Sequence, residues 1–287
     1  MPPPNMTTYT WAFGDTGFVL NTDSIGLPFV DIQKVAGLDT APIRSNVTER
    51  QGQDGTYIHT KYQTSRAIII NGTLYSDPSN PETLLDQLRH DYTLDTVRPF
   101  YFQLPGQGLR FCNAQGGGII YDVDTNRRQG LTPIQMTLLA GDPSIYDYPG
   151  QSATVSAASI SSVGTSFNMA FNVGFGGTIA NYGCTVTNYG THMAYPLVTI
   201  AGPITNPMLF DSYNGITMAF NITLAASDQL VIDCRQKSVV LNGTVSRRSS
   251  MPGLAWISVP AGVTDTIFFT ASAGTGSCTV QLWNTYY

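Results

Sequence analysis

Charge is what this chain has least of. Asp, Glu, Lys and Arg make up 11% of its 287 residues, against about 25% in ordinary soluble domains. Lysine is nearly missing, with Lys34, Lys61 and Lys237 against eleven arginines, and glutamate is rarer still, with Glu49 and Glu82 alone. The balance of 14 basic to 19 acidic residues, a net charge of −5, offers no basic face to a phosphate backbone, so nucleic acid is not an expected partner. Disorder is excluded too, because it combines high charge with few aromatics, and aromatics here are 11%. No run of about 18 apolar residues is present, so no segment reads as a membrane-spanning helix. Met1-Pro2-Pro3-Pro4-Asn5 has neither the basic nor the apolar stretch of a Sec leader, and secretion by that route is not expected.

Cysteine and histidine are equally sparse. Cys112, Cys184, Cys234 and Cys278 show no Cys-x-x-Cys spacing, so no metal site is expected of them and all four read as reduced, buried thiols. His59, His90 and His192 share no metal-motif spacing. No Gly-x-Ser-x-Gly elbow or phosphate loop occurs, since Gly116-Gly117-Gly118 is not completed by Gly-Lys-Ser/Thr. Paired carboxylates for glycoside cleavage would have to come from a chain with two glutamates, one in a polar loop and one at a helix start. Asp122 and Asp124 resemble the opening of a calcium loop, but Arg127-Arg128 stand where its later ligands belong. No catalytic residue, no metal and no cofactor are expected. The five Asn-x-Thr sequons, at Asn5, Asn46, Asn71, Asn221 and Asn242, read as chance in a chain rich in Asn and Thr.

What is present is strand. The length suits two domains, and composition changes along it. Residues 1–150 hold ten basic and fifteen acidic side chains, and residues 151–287 hold four of each. The join falls after Asp142–Gly150, at a Pro/Gly-punctuated stretch followed by the Ser/Ala run 151–162, so the expected domains are 1–150 and 151–287. In the first, strands are expected at Thr8–Phe13, Phe29–Val35, Tyr57–Tyr62, Arg66–Leu74, Phe100–Gln103, Arg110–Asn113, Gly118–Val123 and Leu131–Ala140, rich in β-branched and aromatic residues. One helix is expected at Pro81–Tyr92, capped by Asn80 and apolar at Leu84, Leu85 and Leu88. The second domain reads as about ten short strands and no helix, among them Met169–Val173, Ala255–Val259, Asp265–Thr270 and Cys278–Trp283, with tight turns at Asn214-Gly215 and Asn242-Gly243. The fold class is therefore mainly β. A sandwich- or barrel-like domain with one helix precedes a jelly-roll sandwich.

Two segments invite function. Between Gly37 and Gly55 the chain is polar, Gly/Pro-punctuated and too long for a tight hairpin loop. Leu38, Pro42, Ile43, Arg44, Val47 and Arg50 are the residues by which such an arm would grip a neighbouring subunit. The low charge and the scarcity of Lys fit a surface consumed by subunits, and they fit equally a compositional bias of the source. A loop at Asp122–Gly130, with Asn126-Arg127-Arg128 at its tip, is a second candidate. Trp256 and Trp283 are the candidates for stacking a sugar; both lie in β-rich runs where core packing is the expectation.

Taken in order, these pieces resemble a known family, the distal tail proteins of long-tailed, non-contractile bacteriophages. In the first half the resemblance rests on Gln53-Asp54-Gly55, the strand Arg66-Ala67-Ile68-Ile69-Ile70-Asn71-Gly72-Thr73-Leu74, the helix with Leu84, Leu85, Leu88 and Arg89, Arg98-Pro99-Phe100, and Ala140-Gly141-Asp142-Pro143. In the second half it rests on Asn188-Tyr189-Gly190-Thr191, Tyr195-Pro196-Leu197, Gly202-Pro203-Ile204, Asp228-Gln229-Leu230, Val239-Val240-Leu241-Asn242-Gly243 and Val280-Gln281-Leu282-Trp283. Pro260-Ala261-Gly262 departs from the Pro-Gly-x-Asn usual before the penultimate strand, and the His-Asn-Arg and Trp-Glu-Arg sugar site of true galectins is absent.

The resemblance implies a structural virion protein at the tail tip, assembled in the host cytoplasm. It implies a homohexameric ring of N-terminal domains with galectin-like C-terminal domains projecting outward. The implied partners are other copies of the chain, the tail tube protein and the tail hub or tail-associated lysin, with tape measure or receptor-binding protein as further candidates. The alternative is a carbohydrate-binding module at the tail tip. An exposed aromatic pair on a sheet face would favour it, and a smooth Ser/Thr face would count against it.

Overall fold

The computed structural model describes residues 6–14, 19–21, 29–78, 80, 82–92, 96–159 and 182–287. The chain divides into two compact units, Met1–Tyr148 with Tyr286–Tyr287, and Pro149–Thr285. Both are built of antiparallel strands with few exceptions, as the turn signals and β-branched runs predict.

The first unit is built on one long sheet. Its strands run in the order Val19–Leu20, Trp11–Phe13, Arg98–Phe102, Arg110–Tyr121, Leu131–Ala140, Arg66–Tyr75 and Phe29–Ala36. In the Arg66–Tyr75 strand buried residues alternate with more exposed ones, so Ile68, Ile70 and Leu74 face inward. Across the ladder Leu138, Met136 and Ile134 oppose Ile68, Ile70 and Gly72 on the same face. The helix Glu82–Tyr92 buries Leu84, Leu85, Leu88 and Tyr92 in the same core as those strands and Phe100. Glu82 in its first turn and Arg89 and His90 in its last complement its dipole.

Arg110–Asn113 and Gly118–Val123, two strands in the sequence reading, are one. The Arg110–Tyr121 strand pairs with Arg98–Phe102 through residues 110–114 and with Leu131–Ala140 through 115–121, with a bulge between Gly116 and Gly118. The glycines there make a continuous strand possible, where the sequence suggested a break.

Arg66 begins its strand and is 1% exposed. Its guanidinium donates to the carbonyls of Pro143 at 3.1 Å, Gly37 at 2.8 Å and Asp39. Burial lowers its pKa, yet the group is held by three backbone acceptors from two distant segments. It ties the start of the strand to the turn that follows Phe29–Ala36.

The second unit is a sandwich. One sheet has the order Gln151–Ser156, Ser277–Leu282, Leu197–Ala201, Gln229–Asp233, Ser238–Leu241 and Val245–Ser246. The other is built on Thr264–Ala271, which pairs with Met208–Asp211, with Gly183–Thr187 and, in parallel, with Ala158–Ser159. Val198, Ile200, Leu230, Ile232 and Val280 from the first sheet share one core with Leu209, Ile267, Phe269, Cys184 and Val186 from the second. Asn242-Gly243 and Asn214-Gly215 both make turns, with positive φ at Asn242, Gly243 and Gly215. Ala255–Val259, expected as a strand, is irregular apart from a bridge between Val259 and Ala194. Met169–Val173 lies outside the described residues.

Asn188 is the buried polar tie of this unit. Its Nδ2 donates to the carbonyls of His192 at 2.7 Å and Val259 at 3.0 Å, and its Oδ1 accepts from the Gly190 amide at 2.9 Å. Gly190 must be glycine for space, because a Cβ there would stand 2.1 Å from the Thr285 carbonyl oxygen.

Candidate functional site

The polar excursion of the first unit is one arm of a hairpin. Ile43–Arg44 pairs with Tyr62–Gln63, and Val47–Glu49 pairs with Thr56–Ile58. The Arg50 amide donates to the Gly55 carbonyl at 3.2 Å and closes the tip, and the Thr64 amide donates to Pro42 at 2.8 Å at the base. The segment Tyr57–Tyr62, whose composition suggested a sheet strand, is thus the returning arm. Composition could not separate the two, because β-propensity records a fit to a pleated surface and not which surface.

Every residue from 42 to 62 is exposed. The apolar ones are Ile43, Val47, Tyr57, Ile58 and Tyr62, with Ile58 at 69%. Val47 opposes Ile58 across the ladder. Thr48 opposes Tyr57, whose ring lies 4.8 Å from the Arg50 guanidinium carbon. His59 meets Thr48 Oγ1 at 2.9 Å. Of the proposed arm residues, Pro42, Ile43, Arg44, Val47 and Arg50 lie on this hairpin, and Leu38 is half-buried against the unit's own core. Gly37 marks the point of departure, with φ +90° and no room for a Cβ, which would fall 2.0 Å from the Ala67 carbonyl oxygen.

The loop at Asp122–Gly130 holds a 3-10 turn, Asn126–Gln129. Asp124 accepts from the amides of Asn126 at 3.0 Å and Arg127 at 3.2 Å. Arg127 does not point outward as a tip residue would. It is buried, pairs with Glu82 and lies over Tyr121, which Arg89 also approaches at 4.8 Å.

The second unit's candidate surface is the outer face of the Thr264–Ala271 sheet. Phe210 and Phe268 are cross-strand partners, 39% and 38% exposed, with ring centroids 6.3 Å apart in a stacked arrangement. Beside them run hydroxyl pairs, Thr185 with Thr266 at 3.1 Å and Thr187 with Thr264 at 2.9 Å. The face is part aromatic pair and part threonine ladder. The two tryptophans lie elsewhere. Trp256 is half-buried against the core with the Arg248 guanidinium over its ring at 5.0 Å. Trp283 is half-buried beside Gly150, where a Cβ would come 2.6 Å from its Nε1. The aromatic pair was missed in the sequence because Phe268-Phe269 looks like a plain apolar run; only strand alternation turns the first ring outward and the second inward.

Among the described residues no group of three or more His, Cys, Asp or Glu is placed to hold a metal. The four cysteines are free and buried. Burial pushes the Cys112 and Cys234 thiols up to about 12 and raises Cys184 and Cys278 as well, so all four are neutral thiols at ordinary pH. No helix among the described residues is long and apolar enough to cross a membrane.

Comparison with known proteins fits this arrangement. Residues 189–286 match the family described as siphovirus-type tail component, C-terminal domain. The SPP1 Dit (gp 19.1) protein, described as a paradigm of hub adsorption apparatus in Gram-positive infecting phages, has a similar structure. Its TM-score is 0.61 at 13% identity, over 95% of this chain and 97% of that one. A chain of the phage P2 baseplate in its activated conformation, solved with Ca and again with Sr, is similar with a TM-score of 0.52 at 10% identity, over 88% of this chain and 90% of that one. No curated protein matches in sequence. The mainly β chain thus has the fold of the Dit protein, and its residues 189–286 match the model of the siphovirus-type tail component C-terminal domain.

Proposed function

We propose that this chain is a structural component of a phage tail tip, a distal tail ring linking the tail tube to the hub and adhesion apparatus, with no catalytic step of its own. The observation that carries this reading is the hairpin 42–62. A two-stranded ribbon standing alone in water is marginal at best. This one exposes five large apolar side chains and two free strand edges, both of which call for a second surface. A neighbouring copy offers one by strand addition or by packing on Val47 and Ile58. Repeated head to tail, such a contact closes into a ring when its rotation divides a circle, and six copies are expected from the resemblance. The N-terminal domain, 1–150, forms the ring, and the galectin-like domain, 151–287, docks or spaces the parts around it. The tail tube protein and the tail hub or lysin are the expected partners, and the assembled virion is the expected location.

Native mass measurement and electron microscopy of the purified full-length protein test this. Closed rings of about six copies are expected, and a monomer at every concentration, with no ring in assembled particles, overturns the reading.

The Phe210–Phe268 pair favours a second role beside the first, a saccharide platform on the C-terminal domain. Exposed stacked rings suit the apolar face of a sugar, and flanking hydroxyls suit its edges. Titration of the full chain with neutral cell-wall polysaccharide tests it. Sub-millimolar binding lost in Phe210→Ala, with folding retained, supports the platform, and no binding removes it.

A further inference from the structure

Residues 151–287 contain four acids, Asp211, Asp228, Asp233 and Asp265. Two of them are sealed together inside the second unit: Asp211 is 0% exposed and Asp265 1%. Asp211 ends the Met208–Asp211 strand and Asp265 lies near the start of Thr264–Ala271. The amide of Tyr213 donates to both carboxyl groups, to Asp211 Oδ1 at 2.9 Å and to Asp265 Oδ1 at 3.0 Å. One hydrogen therefore sits between two acids.

The remaining donors are unequally shared. Asp211 also accepts from the Asn214 amide at 2.9 Å on Oδ1 and from Asn214 Nδ2 at 2.7 Å on Oδ2. Asp265 Oδ1 accepts from Ser212 Oγ at 3.0 Å. Asp265 Oδ2 is buried and receives no hydrogen bond. Nor, among the described residues, do the elements around the pair carry a cation to balance it. The strands Gly183–Thr187, Met208–Asp211, Thr217–Ala219 and Thr264–Ala271, the turn 212–216 and the segment 252–263 contain no Lys, Arg or His. Their other titratable groups are Cys184, a neutral thiol, and Tyr213, whose ring is exposed.

Two ionised carboxylates cannot occupy such a place without a counter-charge, because burial and mutual repulsion both oppose the second ionisation. We infer that Asp211 and Asp265 share a single proton, carried on Asp265 Oδ2 and donated toward Asp211, and that this proton holds the 211–216 turn against the Thr264–Ala271 strand. A protonated oxygen is a donor, so the atom that is an orphan as a carboxylate gains a partner. Burial and the Asp211 carboxylate raise the Asp265 pKa, in agreement with the geometry. A group whose pKa is raised on folding stabilises the fold fully below its unfolded value and loses that contribution as pH rises through its folded value. When the proton leaves for water, two anions face each other behind Phe210, and the turn is driven open. The device is independent of ring formation and of sugar binding.

Thermal unfolding of the full-length protein from pH 5 to pH 9 tests it, wild type against Asp265→Asn. The amide supplies a hydrogen that cannot titrate. With rising pH the wild-type transition of the second unit is expected to fall by several degrees relative to that of the variant. Parallel curves overturn the inference. Asp211→Asn is expected to flatten the profile likewise. If neither variant folds, carbon NMR of the wild-type Asp carboxyl groups decides. One that stays protonated above the ordinary carboxylate range supports the shared proton, and ionisation of all within or below that range overturns it. Calcium that stabilises wild type and not Asp265→Asn at both pH 5 and pH 9 also overturns it, since the pair would then be a cation site.

Discussion

The two units handle scarce charge in opposite ways. The first holds ten basic and fifteen acidic residues, yet it sends a 21-residue hairpin (residues 42–62) into solvent with Ile43, Val47, Tyr57, Ile58 and Tyr62 uncovered. The second spends almost no charge on its surface and closes most of its apolar residues between two sheets, with Tyr189, Phe210, Leu254 and Phe268 among those left at the surface. Half of its acids are buried as a pair. Solubility and completeness therefore do not go together here. The better charged unit is the one that sends an uncovered arm into solvent, and the nearly neutral unit keeps most of its apolar side chains in its own core. Each also relies on one buried polar side chain that gathers backbone carbonyls, Arg66 in the first and Asn188 in the second.

The contrast breaks first at the hairpin. Replacing residues 45–60 with a short Gly-Ser link is expected to abolish assembly while circular dichroism keeps its β signature. Rings that persist in the deleted protein would show that the arm is not what joins the copies.

Arg66→Ala is the next largest effect, about 3–5 kcal/mol lost from the first unit. Three carbonyls lose their side-chain donor. Calorimetry should show only the transition of that unit moving. Asn188→Ala is its counterpart, with a cost of about 2–3 kcal/mol confined to the second unit. A shift of both transitions by either substitution would mean that the units do not unfold separately.

Thiol titration sharpens the same comparison at smaller amplitude. Cys112 in one unit and Cys184, Cys234 and Cys278 in the other are expected to resist a thiol reagent in the native protein and to react together with unfolding of their own unit. Since burial raises their pKa values, their contribution is complete below the unfolded thiol value of about 8.5 and is lost only as pH rises above it. Early reaction of Cys112 alone would mark local opening of the first unit. Smallest of all, Phe210→Ser is expected to change stability by about 1 kcal/mol, because the residue is 39% exposed and its ring stacks on its cross-strand partner Phe268. A larger loss would show that the aromatic pair belongs to the fold itself.

Much of this was legible in the residues. Leu84, Leu85 and Leu88 announced a helix face, and Asn214-Gly215 and Asn242-Gly243 announced turns, since each signal is local. The hairpin was half legible. Gly and Pro showed that residues 37–55 leave the domain, but Tyr57–Tyr62 has the composition of any strand, so its pairing partner could not be read. Arg66 and the Asp211–Asp265 pair were not legible at all. A buried Arg or Asp has the same letter as a solvated one, and only long-range pairing, such as Arg66 with Pro143, decides its surroundings. At Trp256 the packing against the core was legible, and the local backbone was not. Its β-rich neighbours suggest a strand, while the chain there is irregular and the ring rests beneath Arg248.

The Arg110–Tyr121 strand has a mechanical side. It is a single backbone, hydrogen-bonded to Arg98–Phe102 over its first part and to Leu131–Ala140 over its second, with the bulge at Gly116–Gly118 in between. Tension entering at one end of the first unit's sheet is therefore handed to the other through covalent bonds, with no loop to stretch between them. To slide the two halves apart, a pull along the strand must shear a whole row of hydrogen bonds at once, whereas a pull across it would open them one after another. The strand is the stiff axis of this unit, and the glycines let it bend without being cut.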